Sequence, residues 1–308
     1  MTSSEKYQKY TPLEHILKRP DSYVGSIEEH TSESYWILSE DKTCMIKKSI
    51  KFRPAFQKIF DEILVNAIDQ STEDMLVDTI KVNINREEEW ISIMNTGSGI
   101  PIEIHEKEQV YIPEMIFGSL LTSSNYDDSK KRTVGGRNGY GAKLTNIFSK
   151  RFELEIVDTK THQKYIQVWE NNMRTVKKPK ITKCKNSKGY VKFTFFPDFE
   201  KFGMKTFDND IISLFEKRTY DACACTNDKV NVYYNDVKLN IKSFEKYVDL
   251  YIGNKKNTNR VFDKSNRWEV CVCHSNEGFK QVSFVNGIHT VDGGSHVESV
   301  SSRIISKL

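Results

Sequence analysis

Thr133-Val-Gly-Gly-Arg-Asn-Gly-Tyr-Gly-Ala-Lys143 runs without a break into Leu144-Thr-Asn-Ile-Phe148, whose apolar spacing predicts a helix over 142–148. Glycine is used where backbone must take positive φ or come close to a ligand. Gly97, Gly99, Gly118, Gly135, Gly136, Gly139 and Gly141 put seven of the 15 glycines into about a seventh of the chain. A glycine-rich loop that opens a helix turns free N–H groups and the positive end of the helix dipole toward one point, and Lys143 adds a full charge. That is a phosphate cradle, with a flexible surface lid as the competing reading. Two better-known loops do not fit. From Gly136 to Lys143 there is one residue too many for GxxxxGK[ST], and the preceding Asp127-Asp-Ser-Lys-Lys-Arg132 is no strand. The dinucleotide fingerprint wants a third glycine at 144, which is Leu.

Two other segments carry chemistry. Phe56, Ile59, Phe60, Ile63, Leu64, Ala67 and Ile68 recur at helical spacing and predict a helix from about Pro54 to Gln70. Glu62, Asn66 and Asp69 fall opposite that stripe at i, i+4 and i+7. A solvated face is the plain reading, but Asn is a poor helix former where Lys or Glu would serve a surface better. A carboxylate and an amide oxygen one turn apart can position a water and hold Mg²⁺, a cation that takes oxygen ligands. Met94-Asn-Thr-Gly-Ser-Gly-Ile-Pro101 follows a predicted strand. Its glycines let backbone approach a flat ligand, and Asn95 offers donor and acceptor to a base edge, though a hairpin-like turn would use the same residues.

Around these segments the chain reads as α+β. Helices are predicted from Thr11-Pro12-Leu13-Glu14, a capping box, to Arg19, and near Asp208–Ala224, Ile241–Ile252 and His296–Leu308. Asp21–Gly25 reads as turn and strand, and strands are predicted at Thr79–Asn85, Trp90–Met94, Phe152–Val157, Lys164–Glu170, Tyr190–Phe196, Val230–Tyr234, Trp268–Cys273 and Gln281–Val285. At 308 residues two domains are expected, 1–240 and 241–308, divided near Asn240 after the Asn235-Asp236 turn. The 46 Lys and Arg against 42 Asp and Glu leave +4, too weak a balance to announce a nucleic-acid partner, and 38% hydrophobic residues are enough for a core. No run of 18 apolar residues and no apolar core in the first 19 residues are present, so a soluble, non-secreted chain without a membrane partner is expected. Cys223/Cys225 and Cys271/Cys273 are spaced CxC rather than CxxC and read as half-buried structural residues rather than zinc ligands.

Taken in order, a helix with Glu62 and Asn66, a strand ending in N-x-G-x-G and a glycine-rich loop opening a helix resemble the GHKL ATPase superfamily. Its Bergerat fold is shared by gyrase-type topoisomerases, a chaperone class, mismatch-repair ATPases and histidine kinases. Within it, five segments look like the ATPase region of eukaryotic-type (type IIA) DNA topoisomerase II. They are Arg19-Pro-Asp-Ser-Tyr-Val-Gly25, Phe60-Asp-Glu-Ile-Leu-Val-Asn66, Leu121-Thr-Ser-Ser-Asn-Tyr-Asp-Asp128, Gly135-Gly-Arg-Asn-Gly-Tyr-Gly-Ala-Lys-Leu144 and Ser283-Phe-Val-Asn-Gly287. A chaperone or mismatch-repair ATPase is disfavoured by the third and fourth of these. A non-catalytic nucleotide-sensing module is the rival from another class.

The resemblance implies an α/β sandwich with a mixed sheet, followed by part of a transducer domain. ATP and Mg²⁺ are the implied cofactors. Glu62 matches the general base and Asn66 the Mg²⁺ ligand. Asn95 matches the adenine reader, and Thr194 lies in the strand that supports it. Ser123, Ser124 and Asn125 match nucleotide contacts. Gly136, Arg137, Asn138, Gly139, Tyr140, Gly141, Ala142 and Lys143 match the loop that closes over the phosphates, and Tyr7 matches the arm that crosses to the partner subunit's nucleotide. Gln70 departs from the family, which often has Asn there. A homodimer joined at an N-terminal gate is implied, acting on double-stranded DNA in the whole enzyme, in the nucleus, or in cytoplasm or virion if a virus encodes it. The transducer's Gln-x-Lys loop, the acidic Mg²⁺ cluster and the tyrosine nucleophile are not in the sequence, so an N-terminal piece of a longer enzyme is expected.

Overall fold

The computed structural model describes residues 9–120, 139–185, 188–256 and 258–307. Helix α1, Pro12–Lys18, starts with the expected capping box: Thr11 Oγ1 accepts from Glu14 N at 3.3 Å, and Glu14 Oε2 accepts from Thr11 N at 2.8 Å. Of the turn and strand expected at Asp21–Gly25, the turn forms and the strand does not. Pro20 presets a 3₁₀ turn over Pro20–Ser22, and the N–H groups of Tyr23 and Val24 are both spent on the Pro20 carbonyl. An antiparallel pair absent from the sequence reading follows, β1 (His30–Leu38) and β2 (Met45–Phe52).

Helix α2, Pro54–Glu73, opens on proline at its first position and outlasts the expected Gln70 by one turn. Strands β3 (Thr79–Asn85) and β4 (Trp90–Gly97) follow, then α3 (Ile112–Gly118) and α4 (Gly141–Ile147). Next come β5 (Ser149–Asp158), β6 (Gln163–Glu170), β7 (Thr175–Val176), β8 (Lys180–Lys183) and β9 (Gly189–Pro197). Helix α5, Asn209–Cys225, is capped by Asp208, whose Oδ1 accepts from Ile211 N at 2.7 Å. It leads to β10 (Asn231–Tyr234) and β11 (Val237–Lys238). The remainder is α6 (Phe244–Ile252), β12 (Arg260–Lys264), β13 (Glu269–Cys273), β14 (Phe284–Val285), β15 (Ile288–His289) and α7 (Ser295–Ile305).

Among the described residues nine strands make one sheet in the order β11-β10-β3-β4-β9-β5-β6-β7, with β8 also on β6. It is mixed, because β10 runs parallel to β3 while the other pairs are antiparallel. Strict alternation in β9 buries Val191, Phe193 and Phe195 and leaves Tyr190, Lys192 and Thr194 on the other face. Helices α2, α4 and α5 cover the apolar face. Phe60 of α2 stacks on Phe215 of α5 at 4.1 Å, and Phe56 meets Phe202 edge-on at 5.0 Å, which fixes the rotation of α2 about its axis.

Tyr247 of α6 packs with Leu38 and Met45 of the first hairpin, and Trp36 meets Tyr251 edge-on at 5.2 Å. The β14–β15 turn is Asn286-Gly287, both at left-handed φ (48° and 75°), as a tight two-residue hairpin requires. No helix among the described residues is long and apolar enough to cross a membrane.

Candidate active site

Because the aromatic contacts fix the rotation of α2, Glu62 and Asn66 lie on the flank that meets the start of α4. Thr145 locks the two helices together by donating its hydroxyl to the Ile59 carbonyl at 2.8 Å. Glu62 is half-buried and paired with Lys58, one turn before it. Its carboxylate lies against Gly141: a Cβ on that glycine would overlap Oε2 and stand 3.1 Å from Cδ. Asn66 is half-buried one turn further on, and its amide is committed to no hydrogen bond among the described residues. Asp69, expected on the same polar face, is buried, so that face is not simply a wet one.

Asn95 sits near the end of β4, 5% exposed, on the helix-covered face with Ile91 and Ile93. Its Nδ2 donates to the Thr96 carbonyl at 3.0 Å. Thr96 Oγ1 anchors the strand end, donating to Asp78 Oδ1 at 3.0 Å and accepting from the N–H groups of Asp78 and Thr79 at 3.1 Å. Asp74, just past α2, holds the turn after Asn95: its Oδ2 accepts from Ser98 N at 2.6 Å. Burial works to raise the pKa of Asp74, but the Ser98 and Leu76 amides outweigh it and hold the carboxyl below its ordinary value.

Two readings of this turn need correction. Gly97 and Gly99 are expected to let backbone approach a flat ligand, yet what they admit is protein. A Cβ on Gly97 (φ +148°) would meet Asp74 Oδ2 at 2.7 Å, and one on Gly99 (φ +84°) would meet the Val157 carbonyl at 2.5 Å. Thr194 does lie in β9, which pairs with β4, but it stands opposite Ser92 on the face turned away from the helices. The residue opposite Asn95 is Val191. Side chains three apart on a strand point to opposite faces, so the structure does not bring Thr194 to Asn95.

Of the loop, Gly139 takes φ +64°, Tyr140 precedes α4 in a helical conformation without a side-chain cap, and Gly141 and Ala142 begin the helix. Lys143 is 1% exposed and folds back, donating from Nζ to the Gly139 carbonyl at 2.6 Å; burial pushes its pKa down to about 8. Tyr7, Ser123, Ser124, Asn125, Gly136, Arg137 and Asn138 lie outside the described residues. Sequence reasoning missed Lys58 and Asp74. The i, i+4 spacing of Lys58 and Glu62 was a usable signal for the first, whereas nothing local marked Asp74 as the partner of a turn 24 residues on.

Residues 53–201, from the start of α2 through β9, match the model of the histidine kinase-, DNA gyrase B- and HSP90-like ATPases. The fold superimposes on the crystal structure of the ATPase region of Saccharomyces cerevisiae topoisomerase II with a TM-score of 0.94 and 50% identity, over 99% of this chain and 80% of that one. The chain belongs to the topoisomerase II ATPase family. A second topoisomerase II structure, the ATPase and transducer domains from Balamuthia mandrillaris, matches with a TM-score of 0.93 and 42% identity over 100% of this chain and 78% of that one. DNA topoisomerase 2 of Meyerozyma guilliermondii is 50% identical over 99% of this chain, and that of Arabidopsis thaliana 49% over 100%. The chain spans 23% and 21% of the length of those two topoisomerase 2 relatives. The α+β GHKL fold expected from the motifs is therefore the observed one.

Proposed function

We propose that the chain is the ATP-binding and hydrolysing N-gate of a type IIA DNA topoisomerase, a nuclear homodimer in which nucleotide-driven closure is coupled to passage of one DNA duplex through another. The observation that carries this reading is the contact of the Glu62 carboxylate with Gly141 at the start of the loop helix, with the Asn66 amide, uncommitted among the described residues, one turn along α2. The residues suit a magnesium nucleotide, since Asn66 offers an oxygen ligand and Asn95 a buried amide. Bound Mg²⁺ would neutralise the charge of the triphosphate.

In this reading Glu62 takes the proton from the attacking water, and Lys58 orients its carboxylate. Asn66 holds the metal and Asn95 reads the base. Lys143 leaves the Gly139 carbonyl for a phosphate oxygen as the loop, including Gly136, Arg137, Asn138, Gly139, Tyr140, Gly141 and Ala142, closes. Ser123, Ser124 and Asn125 add nucleotide contacts, and Tyr7 reaches the partner's site. Residues 1–240 form the ATPase unit, and 241–308 the beginning of a transducer. The test is titration calorimetry with ATP and Mg²⁺ alongside sedimentation with a non-hydrolysable analogue. One nucleotide per chain and nucleotide-dependent dimerisation are expected; a chain that takes up no nucleotide contradicts the proposal, and absent phosphate release would favour a sensing module.

A further inference from the structure

A charged cluster is buried between α2, α5, α6 and the β14–β15 hairpin. Arg218 of α5, wholly buried, donates in three directions: Nε to Asp61 Oδ1 of α2 at 2.7 Å, Nη1 to Asp221 Oδ2 at 2.9 Å, and Nη2 to the Gly287 carbonyl in the hairpin turn at 3.5 Å. Lys217 Nζ donates to the same Asp221 oxygen at 2.7 Å, and the Tyr247 hydroxyl of α6 donates to the other at 2.6 Å. Two cations and two carboxylates balance. His289, in the second strand of the hairpin, adds no charge near neutral pH, because burial and the Lys217 ammonium push its pKa down to about 3.

The hairpin also touches α2 directly. A Cβ on Gly287 would stand 2.9 Å from Ile68 Cγ2, so only glycine lets the turn lie that close. Asp61 and Ile68 are seven residues apart and share one face of α2, and the adjoining face carries Glu62 and Asn66. One helix is thus held by the hairpin on one side and presents the nucleotide residues on the other. Apolar side chains would fill such a place at lower desolvation cost, and the Phe56 and Phe60 contacts already seat α2 on the core side, but they make no directed bond to the hairpin turn. The planar guanidinium, with donors in a rigid fork, does.

We infer that Asp61 and Arg218 are positioning residues for Glu62: they tie the rotation of α2, and with it the aim of the Glu62 carboxylate, to the seat of the β14–β15 hairpin. The inference rests on the reading of Glu62 and Asn66 as nucleotide residues. Coupling between two sites is reciprocal, so nucleotide bound at Glu62 and Asn66 must alter the hairpin as the hairpin alters them.

The experiment is hydrogen exchange of the amides in 283–290 in the 308-residue chain, with and without a non-hydrolysable ATP analogue and Mg²⁺. In the wild type the analogue is expected to slow exchange there by at least about fivefold, the lower end of ordinary allosteric coupling. Asp61→Ala leaves Arg218 paired with Asp221, and Arg218→Lys keeps the charge but loses the fork; exchange in the central sheet strands reports whether each variant is folded. Both are expected to keep analogue affinity within about threefold, less than the smallest coupling expected, and to lose the slowing at 283–290. A full slowing in either folded variant overturns the inference, as does a wild type that binds the analogue without any change at the hairpin. A wild type that does not bind the analogue overturns instead the nucleotide reading beneath it.

Discussion

The Glu62 carboxylate occupies the space that a side chain at Gly141 would need. Alanine is worth about 1 kcal/mol more than glycine inside a helix, so Gly141→Ala adds helix propensity at the start of α4. The overlapping atom is the end of a flexible side chain, which can swing away from Lys58 at little cost in stability. Gly141→Ala is therefore expected to melt within about 1 kcal/mol of the wild type while phosphate release falls at least about tenfold, the loss following the displaced carboxylate. Equal turnover with an unchanged melting curve would mean that Glu62 need not sit where it does.

Asn66 separates stability from binding in the same way. With no described hydrogen bond to lose and a better helix former put in, Asn66→Ala is expected to be as stable as the wild type or a few tenths of a kcal/mol more so. Its affinity for ATP with Mg²⁺ should collapse. Calorimetry with and without Mg²⁺ checks this, and near wild-type affinity with the metal present would end the assignment of Asn66 as its ligand.

Lys143 gives a pH dependence whose sign can be worked out. With its pKa lowered to about 8 by burial, the folded chain gives up this proton before an unfolded chain does, near 10.4. Between those values the unfolded state holds more protons, so this group makes stability rise with pH. A phosphate beside Nζ favours the charged form, so above about pH 8 nucleotide binding should take up a proton and weaken as pH climbs. Titrations near pH 9 in two buffers of different ionisation heat measure the uptake, and Lys143→Met should abolish its contribution. Identical uptake in the variant would assign the proton to another group.

Asp221 anchors two buried cations and the Tyr247 hydroxyl. Removing one partner from such a set costs about 3–5 kcal/mol, because the remaining charge is stranded. Asp221→Ala should lose that much in urea unfolding, whereas deleting the exposed pair Arg19–Asp21 should change little. Burial opposes ionisation of Asp221, but Lys217 and Arg218 outweigh it and hold its pKa near 2. Its stabilisation is present above the unfolded value near 3.9 and is lost as pH falls from there toward 2.

Much of this was legible in the sequence because local patterns carried it. The apolar repeat of Phe56 through Ile68 marks α2, and the glycines leading up to 141 mark the start of α4. The β1–β2 pair escaped notice because its residues are mostly exposed and polar, so no alternation marks it. The turn glycines Gly97 and Gly99 suggest room for a ligand, but the atoms they admit are those of Asp74 and Val157, which only the fold brings near. The register that sets Thr194 opposite Ser92 cannot be read from its own strand, and a strand position has no meaning for a site until its face is known. The buried cluster around Arg218 joins residues 61, 221, 247 and 287, too far apart in the chain for any spacing rule.

With Glu62 as the base, its role in catalysis is separable from nucleotide binding. Glu62→Gln keeps the shape and reach of the side chain and removes its basicity. Phosphate release and ATP affinity measured on this variant in the full-length protein test it most directly. Turnover should fall by about 10²- to 10⁴-fold, affinity should hold, and the variant should accumulate as the ATP-bound closed dimer in sedimentation. A Gln variant that hydrolyses ATP at the wild-type rate would place the base elsewhere.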